Sequence, residues 1–217
     1  MRLVASYVTL VGGVRRWLHM FRGKGMLRAS AVAVGLICGV VLPSACTPPP
    51  PRITYTYSLS VAGTVHLKDA DVGVLSTLAK SVLNDPRGWS LGGKIAFKPV
   101  LFGGDFTIWL ASPDQLPLFS PICSPNLSCS IGRNVIINSV RFHNGTTYGW
   151  PASLTSYQIM VINHEVGHWL GLGHRFCPAP GALAPVMQQQ SISLQGCRAN
   201  SWPTPPELAT VAAARHL

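Results

Sequence analysis

Residues 162–176 read INHEVGHWLGLGHRF, which puts His164, Glu165, His168 and His174 into one short window of a chain with only seven Asp and Glu in total. Imidazole is a metal ligand when neutral, and a carboxylate beside it can move a proton. On a helix, His164 and His168 lie one turn apart and about 40° apart around the axis, so two imidazoles can grip one cation. Glu165 sits next to the first of them, placed to take a proton from a water without itself being a ligand. A straight helix cannot bring His174 to the same ion. Gly171 at a left-handed position ends the helix and turns the chain back, and Gly173 adds freedom to that turn. Three neutral imidazoles make an open tetrahedral site, which suits one catalytic Zn2+. A lone histidine is more often a core or capping group than a ligand, but the glycines and the third histidine make coincidence a poor account of the set.

The pattern His164-Glu165-x-x-His168-x-x-Gly171-x-x-His174 resembles the zinc signature of the metzincin metallopeptidases, and HWLGLGH looks most like the matrixin and archaemetzincin versions. The chain beyond residue 46 is also similar to secreted actinobacterial metzincin-like proteins of unknown function. The resemblance implies a Met-turn beneath the metal, and Met187 in APVMQQQ stands at a fitting distance. It implies a metzincin-like α+β fold: a mixed twisted sheet with a backing helix, an active-site helix, a Met-turn and a C-terminal helix. DFTIWLAS is then a candidate for the edge strand that lines the substrate. The implied activity is that of an endopeptidase, with zinc activating water and Glu165 as general base. Arg175 after the third histidine fits none of the well-studied peptidase families, and Gln189 stands where some relatives carry a metal-reaching tyrosine. A zinc-stabilised surface lipoprotein acting as a binding module, or a zinc hydrolase of cell-envelope amide bonds, are the alternatives.

The elements needed to hold this window are legible in outline. ITYTYSLSV, from Ile53 to Val61, alternates as a strand. Asp69 to Leu83 places Val72, Leu75, Leu78, Ala79, Val82 and Leu83 at helical spacing, closed by Asn84-Asp85-Pro86. KIAFKPV and DFTIWLAS are β-like, with Gly103-Gly104 as a turn between them. A Pro- and Ser-rich loop spans Pro113 to Ser130, and NVIINS is a further strand. A loop containing Tyr148 and Trp150 leads to a helix starting near Ser153 to Ser156, with these aromatics and Tyr157 read as core before pocket. The last helix starts at TPPE with Thr204 as N-cap and Glu207 closing a capping box, and runs to about Arg215.

Charge and hydropathy divide the chain. The net charge is +10, but residues 1–46 hold six basic side chains and no acidic one, while the rest carries eleven Lys/Arg against seven Asp/Glu. With no run of like charges beyond the first segment, a nucleic-acid partner has little support. Ala29 to Leu42 is an uncharged, mostly apolar run preceded by Arg22, Lys24 and Arg28, shorter than the about 20 residues a bilayer span needs. Residues 1–46 are therefore expected to be a leader, made compact by a start at Met26. LPSAC before TPPPPR resembles a lipoprotein cleavage site, with Cys46 as the lipidation candidate, although Pro43 departs from the usual pattern. The remaining expectation is a proline-rich tether over 47–52 and one domain over 53–217. It would be secreted, or anchored to the outer face of the membrane only through the leader or a lipid on Cys46, with a peptide or protein as substrate. Export makes disulfides the expected state of Cys123, Cys129, Cys177 and Cys197. Of three connectivities, the sequence-local pairs Cys123–Cys129 and Cys177–Cys197 are favoured.

Overall fold

The computed structural model describes residues 52–66 and 69–217. The leader, Cys46 and most of the proline-rich tether lie outside the described residues. Among the described residues, no helix is long and apolar enough to cross a membrane.

Five strands form one sheet in the order β2-β1-β3-β5-β4. They are β1 (Ile53–Ala62), β2 (Ile95–Pro99), β3 (Phe106–Ala111), β4 (Cys129–Ile131) and β5 (Asn134–Asn138). All neighbours are parallel except β4, which runs antiparallel to β5 at the sheet edge. Between β1 and β2 comes α1 (Ala70–Leu83), which buries Leu75, Ala79, Val82 and Leu83. Asn84 stops it and locks it to the sheet: its side-chain amide donates to Phe97 O, and its oxygen accepts Phe97 N–H.

The turn expected at Gly103-Gly104 does not make a hairpin. Tyr57 of β1 is the register partner of Pro99 in β2 on one side and of Phe106 in β3 on the other. The chain therefore leaves β2, crosses β1 and pairs with its other edge. Gly104 makes the crossing, because a Cβ there would lie 2.7 Å from Tyr57 Cα and 2.9 Å from Ser58 N. DFTIWLAS is accordingly a central strand, not the substrate-lining edge. Phe106, Ile108 and Leu110 point into the main core, while Ala111 joins a second cluster with Leu116, Cys123 and Ile136 on the opposite face.

That second face is covered by the Pro- and Ser-rich segment, which carries a short helix α2 (Leu116–Phe119) and ends in β4, the true edge strand. Cys123 and Cys129 are disulfide-bonded across this segment, and Cys177 and Cys197 form the second disulfide. After β5, the region expected to be loop contains α3 (Ser139–Asn144), capped by the Asn138 side chain, before a single 3-10 turn. Next comes α4 (Leu154–Trp169), with the Ser153 hydroxyl accepting Ser156 N–H, and last α5 (Pro205–Ala214), with the capping box of Thr204 and Glu207 formed. The result is the expected α+β architecture, a mixed sheet with α1 and α4 packed into its main core.

Candidate metal centre

α4 is buried on nearly all sides: Tyr157, Gln158 and the run from Met160 to Gly167 are all enclosed. Its two ligand candidates therefore meet protein rather than solvent behind them. His164 Nδ1 faces the carbonyl oxygen of Val186 at 2.7 Å, and His168 Nδ1 faces that of Leu172 at 2.8 Å. A carbonyl only accepts, so each Nδ1 carries the proton and each Nε2 presents a lone pair. Those lone pairs converge: His168 Nε2 lies 3.2 Å from His164 Nε2 and 3.1 Å from His174 Nε2. For neutral rings this clustering of acceptors is unfavourable without a cation. A tetrahedral zinc with bonds of about 2.0–2.1 Å separates its nitrogen ligands by roughly 3.3 Å. The donor set fits that ion. Burial, with repulsion from the neighbouring rings, pushes His164 down to about 3 and lowers His168, and burial lowers His174.

The helix ends in a way that brings His174 to the other two histidines. Leu170 caps it and Gly171 adopts φ +99°. Gly171 N–H donates to His168 O at 2.9 Å, and Leu172 N–H donates to Gly167 O at 3.0 Å. This pair of bonds is a Schellman motif. It does two jobs, turning the chain towards His174 and aiming the Leu172 carbonyl at His168. Gly173 differs from expectation: it is outside the left-handed region and a Cβ there would meet nothing within 4 Å.

Glu165 is 4% exposed, and its Oε2 has no hydrogen-bond partner. Burial pushes its carboxyl up from 4.5 to about 8. An orphaned acid oxygen beside three converging imidazoles suits a group that exchanges a proton with a water or a substrate. Both Glu165 and the histidines border a cleft of about 300 Å³, which Leu127, Ser128, Cys129, Ser130, Gln189, Gln190 and Ile192 also line. Tyr157 contributes to this cleft as well as to the core, Trp150 is core, and Tyr148 is exposed with Arg141 stacked on it.

Met187 is fully buried in a turn closed by Gln188 N–H on Pro185 O at 3.0 Å. Its sulfur occupies the space beside Gly167, where a Cβ would overlap it and would also crowd Trp89. Trp89 is itself fixed to the helix through Nε1–H on Asn163 O at 2.9 Å. Gly167 and Trp89 were not picked out by spacing. The one available signal for Gly167 was a glycine inside a helix, where nothing but close packing rewards it. Met187 O accepts Arg175 N–H at 3.0 Å, which ties the segment after His174 to the same turn. Nothing in the structure explains the Arg175 side chain.

The chain matches the family described as "Protein of unknown function (DUF3152)" over residues 49–201, and it belongs to that family. No curated protein matches it. Among solved structures it is similar to the archaemetzincin of Methanopyrus kandleri, at 14% identity and a TM-score of 0.44, covering 75% of this chain and 97% of that one.

Proposed function

We propose that this chain is an exported zinc-dependent endopeptidase of the metzincin type, with His164, His168 and His174 holding one Zn2+ and Glu165 as general base. The observation that carries this reading is the enforced tautomer: two rings are pinned at Nδ1, so their Nε2 lone pairs converge with His174 Nε2 beside a buried acid. Bound there, zinc would supply Lewis-acid polarisation of a peptide carbonyl and acidify a water. Glu165 takes the proton of the attacking water and delivers it to the departing amine; its buried Oε2, with no other hydrogen-bond partner, is free for both transfers. β4, at the open edge of the sheet and bordering the cleft, offers main-chain groups to which an extended peptide can add. The cleft's side-chain lining is apolar at Met160, Val161 and Ile192 and hydroxylic at Ser128, Ser130 and Ser191, which favours uncharged substrate side chains.

Two disulfides support residence in an oxidising compartment. Residues 1–46 as a leader, residues 47–52 as a tether and a lipid on Cys46 as a membrane anchor complete the proposal.

The test is cleavage of an unbiased peptide library by the zinc-loaded full chain, with and without a chelator, beside Glu165→Gln. Expected is cleavage by the wild type and a loss of about 10²–10⁴-fold in the variant, which still retains zinc. Full activity in Glu165→Gln would sink the assignment. Zinc retention with no peptide cleaved favours the binding module instead, and cleavage confined to cell-wall fragments favours the envelope hydrolase.

A further inference from the structure

The peptide unit joining Val186 to Met187 is held from both ends. Its carbonyl accepts His164 Nδ1–H at 2.7 Å, and its N–H donates to Glu207 Oε1 at 2.8 Å. Glu207 lies on α5, twenty residues beyond the turn it contacts, and is 2% exposed. Its Oε2 accepts from Val186 N–H at 3.1 Å, Thr204 N–H at 2.7 Å and Thr204 Oγ1–H at 2.6 Å.

We propose that Glu207 is a positioning residue for the metal, a carboxylate that acts on His164 through one intervening peptide group. The inference rests on the zinc reading of the three histidines. A carboxylate accepting the Met187 N–H polarises that peptide and makes the Val186 carbonyl a stronger acceptor. The stronger acceptor fixes the His164 ring and its Nδ1–H tautomer, and shifts electron density to Nε2, the ligand atom. The same turn accepts Arg175 N–H at Met187 O, so the segment carrying His174 is registered against it too.

A capping role alone does not account for Glu207. A capping box needs one acceptor oxygen, and glutamine serves it as well as glutamate. Here one oxygen closes the box, while the other is spent on Met187 N–H. Four donors converge on the group, more than a single amide oxygen can serve, and an amide NH2 would face N–H groups.

The test compares the full chain with Glu207→Gln and Thr204→Val. Zinc affinity is read by competition with a chromophoric chelator, and the ligand field by the visible spectrum of the cobalt-substituted protein. Glu207→Gln is expected to bind zinc about 10- to 100-fold more weakly and to shift the cobalt spectrum. Thr204→Val, which removes only the cap hydroxyl, is expected to melt earlier with unchanged affinity and spectrum. Wild-type affinity and spectrum in Glu207→Gln overturn the proposal, as does an equal loss of affinity in both variants. If Glu207→Gln does not fold, Glu207→Asp carries the test: it keeps the charge, shortens the reach and must show the same weakening. A wild type that binds neither metal is a different failure, that of the zinc reading itself.

Discussion

The sulfur of Met187 fills the space that a side chain on Gly167 would need, and Trp89 also borders that space. The contact fixes how closely the turn approaches the helix between Glu165 and His168. Gly167→Ala gains roughly 1 kcal/mol of helix propensity. Forcing a methyl into a filled core costs about 1–3 kcal/mol. The variant is expected to be less stable by up to about 2 kcal/mol in urea denaturation, after both effects are counted. Adding Met187→Ala should make the pair less unstable than the sum of the single changes. Strict additivity would show that the two residues do not compete for one space.

Gly171 and Gly173 separate by conformation. Gly171 has φ +99° and open space around its missing Cβ, so alanine there is penalised by backbone strain alone. A loss of roughly 1–2 kcal/mol is expected for Gly171→Ala. Zinc binding should weaken with it, because the strained turn also presents the Leu172 carbonyl to His168. Gly173→Ala should be close to neutral in both chemical denaturation and chelator competition. Equal effects at the two positions would contradict the Schellman geometry.

The metal-free protein should show two opposed pH dependences. His164 has its folded value depressed from 6.5 to about 3, so its contribution to stability is fully present above pH 6.5 and is lost as pH falls through about 3. Glu165 is raised from 4.5 to about 8, so its contribution is fully present below pH 4.5 and is lost as pH rises through about 8. Denaturation midpoints of the chelator-treated chain across this range should therefore peak between the two losses. Glu165→Gln should abolish the alkaline decline and leave the acid one; a decline that persists in the variant assigns it to another group.

Cys177 and Cys197 close a loop with a sequence separation of 20, and that loop carries Met187. Cross-links of this span stabilise by about 3 kcal/mol, chiefly by restricting the unfolded chain. Cys177→Ser with Cys197→Ser should lower stability by about that amount in guanidinium denaturation. A change below about 1 kcal/mol would mean that the unfolded chain is already restricted over this segment without the cross-link.

Much of the metal centre was legible because its requirements are local. Two histidines four apart and a glycine three further on are constraints of one helix and its exit, expressed within eleven residues. The capping box at Thr204 and the strand and helix cores were legible for the same reason. Periodicity failed where burial is not one-sided. α4 is enclosed all round and shows no clean apolar face, and β3 is buried on both faces, so neither pattern tells centre from edge. α2, α3 and β4 are too short for a period to register.

The sequence by itself determined the three histidines, the acid beside them and the glycine that turns His174 back, because a helix and its cap follow from neighbours in the chain. Tertiary structure alone decided that β4 rather than β3 walls the cleft, that Gly167 makes room for Met187, and that Glu207 reaches His164 through the Val186 carbonyl. Each of these depends on which distant segments share a surface. Chain crossing, close packing and buried hydrogen bonding are long-range matters, and no local spacing records them.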